Sequence, residues 1–191
     1  MKQLLLLSFL GYAARVNGQG VFSNEASTLL EKIVQDYSTH FSHITGEKIA
    51  AAPGYEVYHS VVTMPGAAAA QITAIHAASV TYYRWDAVIV QHRSYAEAAA
   101  DLEKLYNKLV NTIIKPVGGK ASIVNGVYMP PAQDKTCSTI RFGLLPASKS
   151  FESLDIDLTA RQDNGAWQIE LSVYDRALER AGSNNNKIVM K

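Results

Sequence analysis

Apolar residues follow two rhythms along this chain, and the change from one to the other marks its elements. Between Ser94 and Lys115, the residues Tyr95, Ala98, Leu102, Leu105, Tyr106, Leu109 and Ile113 recur every three or four positions and make one apolar stripe. Ser94 and Glu97 have the spacing of a capping box. Glu97 and Asp101 come early, and Lys104, Lys108 and Lys115 late, which suits the helix dipole. Pro116 and Gly118-Gly119 close the segment. The pattern predicts a helix of about 22 residues, roughly 33 Å long at 1.5 Å per residue. With a single apolar stripe, it should lie on one face of a sheet and keep its other side in water. An earlier stripe of Ala26, Leu29, Leu30, Ile33, Val34 and Tyr37 predicts a first helix over 22–39, capped by Ser23 or Asn24.

Elsewhere the rhythm is alternation. Tyr55 to Met64 is β-rich and aromatic, and Pro65-Gly66 ends it. Val80 to Gln91 reads as a strand with Tyr83, Trp85, Ala87 and Ile89 on one face. The alanine-rich stretch 67–78 has helical composition, but Ile72, Ala74 and His76 alternate and strands flank it, so it reads as a strand. Gly46 and 50–54 read as a loop. Four more strands follow the long helix: 121–128, 138–145, 151–160 and 166–174. The last two form the clearest hairpin. Asn164-Gly165 is a type I′ turn signal. Centred there, it sets Asp163 opposite Ala166, Leu158 opposite Leu171 and Ile156 opposite Val173, so turn and hydrophobic pattern agree on one register. The reverse face carries Asp155, Asp157, Thr159, Gln168, Glu170 and Ser172 and should be in water. A short helix over 176–181 and a frayed tail over 182–191 complete the chain.

The expected fold is α+β. It is a two-layer sandwich of two helices on one face of a mainly antiparallel sheet of about six or seven strands. The lack of a strand–helix alternation argues against doubly wound and barrel folds. A short echo between Val62-Thr63-Met64-Pro65-Gly66-Ala67 and Val127-Tyr128-Met129-Pro130-Pro131-Ala132 is of a length that chance supplies.

Composition adds compartment more than chemistry. The chain has 191 residues, 48% hydrophobic and 18% charged, which suits one globular domain. Lys2 followed by an apolar run from Leu4 to Ala14, with Val16-Asn17-Gly18 after it, has the layout of a signal peptide over 1–18. Cleavage before Gln19 would leave a single domain over 19–181. That cleavage removes Lys2 and Arg15, so 18 basic residues become 16 against 17 acidic ones. No basic block speaks for nucleic acid, and no further segment speaks for stable membrane insertion. Cys137 is the only cysteine, so no intrachain disulfide forms. The expected location is secreted or periplasmic.

Candidate chemistry is thin. His40 and His43 have an i, i+3 spacing, but no third ligand accompanies them. His59, His76 and His92 sit on strands or at their ends. Asp155, Asp157 and Glu170 share a hairpin face without a calcium loop. None of these patterns specifies a catalytic residue, metal or cofactor. The stronger signal is aromatic. Tyr55, Tyr58, Tyr82, Tyr83, Trp85 and Tyr95 cluster, and those facing away from the helices, Tyr58 and Tyr82, would form an exposed recognition surface. With Arg84, His59 and His92 they make the expected binding site, for a protein or small-molecule ligand.

The order of signal peptide, helix, a strand ending in Met-Pro-Gly-Ala, a strand leading into Ser-x-x-Glu-Ala, and an Asn-Gly hairpin resembles small exported bacterial proteins. The order of elements is also similar to type III secretion chaperones, in topology alone and against the signal peptide. The resulting expectation is an exported bacterial binding module that uses an open sheet face. The alternative is a small periplasmic hydrolase or metal-dependent enzyme built on the strand histidines or the acidic hairpin face. A homodimer through the sheet edge or face is a third reading.

Overall fold

A computed structural model describes residues 24–92, 94–116 and 118–178. Residues 1–23, which include the segment expected as a signal peptide and the expected start of the first helix, and the residues after Leu178 lie outside the described residues.

The chain runs α1 (Glu25–Tyr37), β1 (Thr45–Ala52), β2 (Tyr55–Ser60), β3 (Ala70–Ala77), β4 (Val80–His92), α2 (Tyr95–Leu109), β5 (Ile113–Ile114), β6 (Ser122–Asn125), β7 (Cys137–Leu145), β8 (Leu154–Asp163) and β9 (Ala166–Asp175). Among the described residues the strands form one nine-stranded sheet in the order β1-β2-β3-β4-β9-β8-β7-β6-β5, and every neighbouring pair is antiparallel. Each half is a helix followed by an antiparallel meander, and the final strands of the two halves, β4 and β9, meet at the centre. The Met-Pro echo falls at the same place in both halves, after the second strand. In the first half Val62 and Met64 are buried, and in the second Val127 and Met129 are exposed.

The sheet has nine strands where six or seven were expected. One addition is β1, Thr-Gly-Glu-Lys-Ile-Ala-Ala-Ala, whose composition has little strand preference and which pairs with β2 through two irregularities. The other is β5, taken from the end of the predicted long helix. That helix holds only over Tyr95–Leu109. Asn111 adopts φ 65°, the Thr112 hydroxyl donates to Leu109 O at 2.7 Å, and the Asn111 amide donates to Val124 O at 2.8 Å. The β-branched run from Thr112 to Ile114 then joins β6 instead of prolonging the helix. At the other end Ser94 Oγ accepts from the Glu97 amide at 3.3 Å, but the Glu97 carboxylate accepts from the Ser94 hydroxyl rather than from the cap amide, so half of the box is present. Within the stretch 67–78, Ala70–Ala77 forms strand β3. The hairpin register is as expected, with Asn164 at φ 48° and Gly165 at φ 79° in its turn.

Both helices lie on one side of the sheet. α2 packs on β4, β9 and β8, and α1 lies beside α2 against β9 and β5. Between them sit Leu30, Ile33, Leu102, Leu109, Trp85, Ile156, Leu158, Ile169, Leu171 and Val173, all essentially inaccessible. The Trp85 indole satisfies its one donor on Ser60 Oγ at 3.0 Å. A bulge between Val88 and Val90 shifts the parity of β4, so Val90 rather than Ile89 stands opposite Ile169 and His92 reaches the helix side opposite Trp167.

The turn after α1 is held by one carboxylate. Asp36 accepts from the amides of His43 and Ile44, from the Thr39 hydroxyl and from His43 Nδ1 at 2.6 Å. It spans a corner where His40 and Phe41 both adopt positive φ. Burial pushes the Asp36 carboxyl up, and the hydrogen bonds from Thr39 and His43 outweigh it, holding the group below its ordinary range.

Candidate functional site

The side of the sheet away from the helices carries the polar residues of the central strands. Cross-strand pairing puts Arg84 and Asp86 of β4, Glu170, Ser172 and Tyr174 of β9, Asp155, Asp157, Thr159 and Arg161 of β8, and Thr139 and Arg141 of β7 on this face. The hairpin pattern predicts Asp155, Asp157 and Ser172 in water, but all three are buried, and so is Asp86 of β4. The cause is a layer of arginines lying over them. Arg84 Nε donates to Asp86 at 2.5 Å and its Nη2 to Ser172 Oγ at 2.8 Å. Arg141 grips Asp157 with two bonds of 2.9 and 3.0 Å, and the Tyr174 hydroxyl donates to the same carboxylate at 2.7 Å. Arg176 donates twice to Asp155 Oδ1, at 3.0 and 2.8 Å. Asp155 Oδ2 has no hydrogen bond among the described residues and lies 3.8 Å from Arg141 Nη1.

This face is hollowed into a trough of about 1080 Å³, bounded by the 53–54 turn, β2 to β4, β9 to β7, and Leu178. The volume is that of a small-molecule site. Its floor is Arg84, Glu170, Arg161, Thr159, Thr139 and Tyr174, and Tyr55, Ile75, Ala77 and Leu178 add apolar surface. A second hollow of about 520 Å³, lined by His59, Asp86, Val88 and Gln91 among others, meets the first at Arg161 and Glu170. Glu170 lies 3.5 Å from Arg84 and 3.7 Å from Arg161. Burial raises its carboxyl, the neighbouring Asp86 charge adds to this, and the two arginines oppose it without cancelling it. Burial works against the Arg84 charge, and Asp86 more than compensates, so Arg84 stays firmly cationic.

Comparison with family models, curated proteins and solved structures returns no match.

The structure divides the expected site residues. Arg84 lines the main trough and His59 the adjoining hollow. By register Tyr82 shares the face of Ile75, yet it lines a separate hollow of about 330 Å³ with Tyr37, His40 and Asp175. Tyr58 was expected on the open face, but it pairs with Ile72, which pairs with Trp85, so it stands on the helix side. Its hydroxyl donates to Glu56 at 2.6 Å and its ring lies beneath Lys48. His92 is on the helix side too, bonded through Nε2 to Asp101 of α2 at 2.9 Å. Of the paired histidines, His43 serves the Asp36 corner and His40 stacks on Tyr83 at 4.8 Å. Among the described residues no three His, Cys, Asp or Glu side chains converge as a metal site. Cys137 is exposed at the rim of the trough. The sequence reading missed Arg141, Arg161 and Arg176. Arg161 carried a signal, its parity with Asp155 and Asp157, whereas Arg141 is placed by the β7–β8 register and Arg176 by its bonds to Asp155.

Proposed function

We propose that this protein is an exported binding module whose ligand occupies the trough on the open sheet face. The observation that carries the reading is the trough itself: about 1080 Å³ of space over a floor of ordered, mutually bonded polar side chains. Such a floor is pre-organised, so little side-chain freedom is lost when a ligand binds. Export follows from the signal-peptide pattern over 1–18. Among the described residues no helix is long and apolar enough to cross a membrane.

Thermal-shift screening against small organic acids, sugars, amino acids and amines tests the reading. A ligand at a hundred times its Kd stabilises the fold by about 2.7 kcal/mol. At least one class should raise the Tm of the natural protein and leave Thr159→Trp, which fills the trough floor, unmoved. Equal shifts in both proteins, or none in either, would contradict the reading.

A hydrolytic reading is favoured by one observation. Glu170 is a carboxyl held above its ordinary range at the floor of a cleft, the state of a general acid. Chromogenic esters and glycosides distinguish the two. Turnover that Glu170→Gln abolishes, with ligand-induced stabilisation retained, would favour the enzyme.

A further inference from the structure

In the trough, positive and negative groups are equal in kind but not in accessibility. The Arg84 and Arg161 side chains are 38% and 49% exposed, whereas those of Glu170 and Asp157 are 15% and 12% exposed and that of Asp86, which lines the adjoining hollow, is 10% exposed. The carboxylates lie beneath and the guanidinium groups above. A ligand entering the trough therefore meets N–H donors before it meets any carboxylate. Arg161 is the freest of them. Among the described residues its side chain makes no hydrogen bond, and its one ion contact is to Glu170 at 3.7 Å. Arg84 commits Nε and Nη2 to Asp86, Ser172 and Glu170, and its Nη1 has no partner among the described residues. Arg84 is further pinned by the Tyr174 ring, 5.3 Å beneath its guanidinium carbon. Arg84 Nη2 lies 3.5 Å from one oxygen of Glu170 and Arg161 Nη2 lies 3.7 Å from the other, so both cations border the same carboxylate.

Resting on the reading of the trough as a ligand site, we infer that its ligand is a small organic anion. An anionic head group would lie against Arg161 and Arg84, and an apolar body would lie along Tyr55, Ile75, Ala77 and Leu178. A guanidinium presents paired N–H groups that match a carboxylate or phosphate, and in a partly enclosed cleft such a charge-assisted pair is worth more than on an open surface. The hydroxyls of Thr139 and Thr159, 3.0 Å apart on the floor, supply further polar contacts beside the guanidinium groups. The trough is of a size for a small molecule, and the positive charge is a local cluster rather than a long stripe, so a polyanion does not fit it.

The test is calorimetric titration of the whole protein with a matched pair, 4-phenylbutyrate and its neutral amide, with phenyl phosphate as a third arm to separate carboxylate from phosphate recognition. The acid or the phosphate should bind at least tenfold more tightly than the amide. That advantage should shrink with added salt. Arg161→Gln should remove it while leaving Tm within a degree or two, since a single partly exposed ion contact contributes little to stability. Amide binding as tight as acid binding, abolished by Thr159→Trp, would overturn the anion preference and leave the trough as a binding site. Anions that fail to bind while sugars or amines do would also overturn it. Binding by no class at all would take the underlying reading down with it.

Discussion

Asp36 shows how much one side chain does at the residue scale. It holds four donors at a corner where two consecutive non-glycine residues take positive φ, a conformation that costs roughly 1–2 kcal/mol per residue. Asp36→Asn keeps the shape but loses the charge-assisted bonds, and should destabilise the fold by about 2–3 kcal/mol at neutral pH. The sign with pH follows from its depressed pKa. The contribution is fully present above the ordinary carboxylate range and is lost as pH falls through the native value. Urea denaturation of both proteins from neutral to acid pH should therefore show curves that converge in acid, and a constant gap would count against this account. Glu170 has the opposite sign. Its raised carboxyl favours the fold at low pH and costs stability as pH rises through the native value. Neither role was legible in the sequence. Asp36 stands between helical positions with nothing to mark its bonds, and the bonds exist only once residues 39–44 fold back over it.

Elements were legible where two independent signals agreed. The β8–β9 hairpin was readable because turn chemistry and alternation specify the same register. The start of α2 was readable from its cap. Its end was not, because Ile113 continues the helical spacing while β-branching and the pairing with β6 pull the other way. Asn111 decides the outcome by taking φ 65° one residue after the cap. Asn111→Gly should be nearly neutral, whereas Asn111→Val should cost about 1–2 kcal/mol, because a β-branched residue resists the left-handed region. Thermal unfolding of the two variants checks this, and equal losses would contradict it. β1 was illegible for a different reason. Alanines, a glycine and charged residues form a strand there because β2 offers an edge, a tertiary effect that local preference does not record.

At the scale of the whole molecule, the sheet separates two environments. Side chains on one side meet two amphipathic helices and form an apolar core. Among the described residues, side chains on the other meet no packed helix, and the protein buries its carboxylates there under its own arginines. The two-sided alternation was visible in the sequence, but this burial was not. A polar strand face reads as solvated until the arginines of three other segments are placed above it, and Arg84, Arg141 and Arg176 come from positions far apart in the chain. The aromatic cluster misled for the same reason. Tyr58 and Tyr82 look alike along their strands, yet register sends them to opposite sides. The function proposed here depends on the hollowed arginine-covered face being where ligand binds. Nitrogen-15 NMR of the protein titrated with 4-phenylbutyrate tests this most directly. The account predicts shift changes concentrated on β9, β8, β4 and β7 around Glu170, Thr159, Arg84 and Thr139, with Arg161 side-chain signals moving in step. Changes confined to α1, α2 or the helix-side residues Tyr58 and His92 would contradict it.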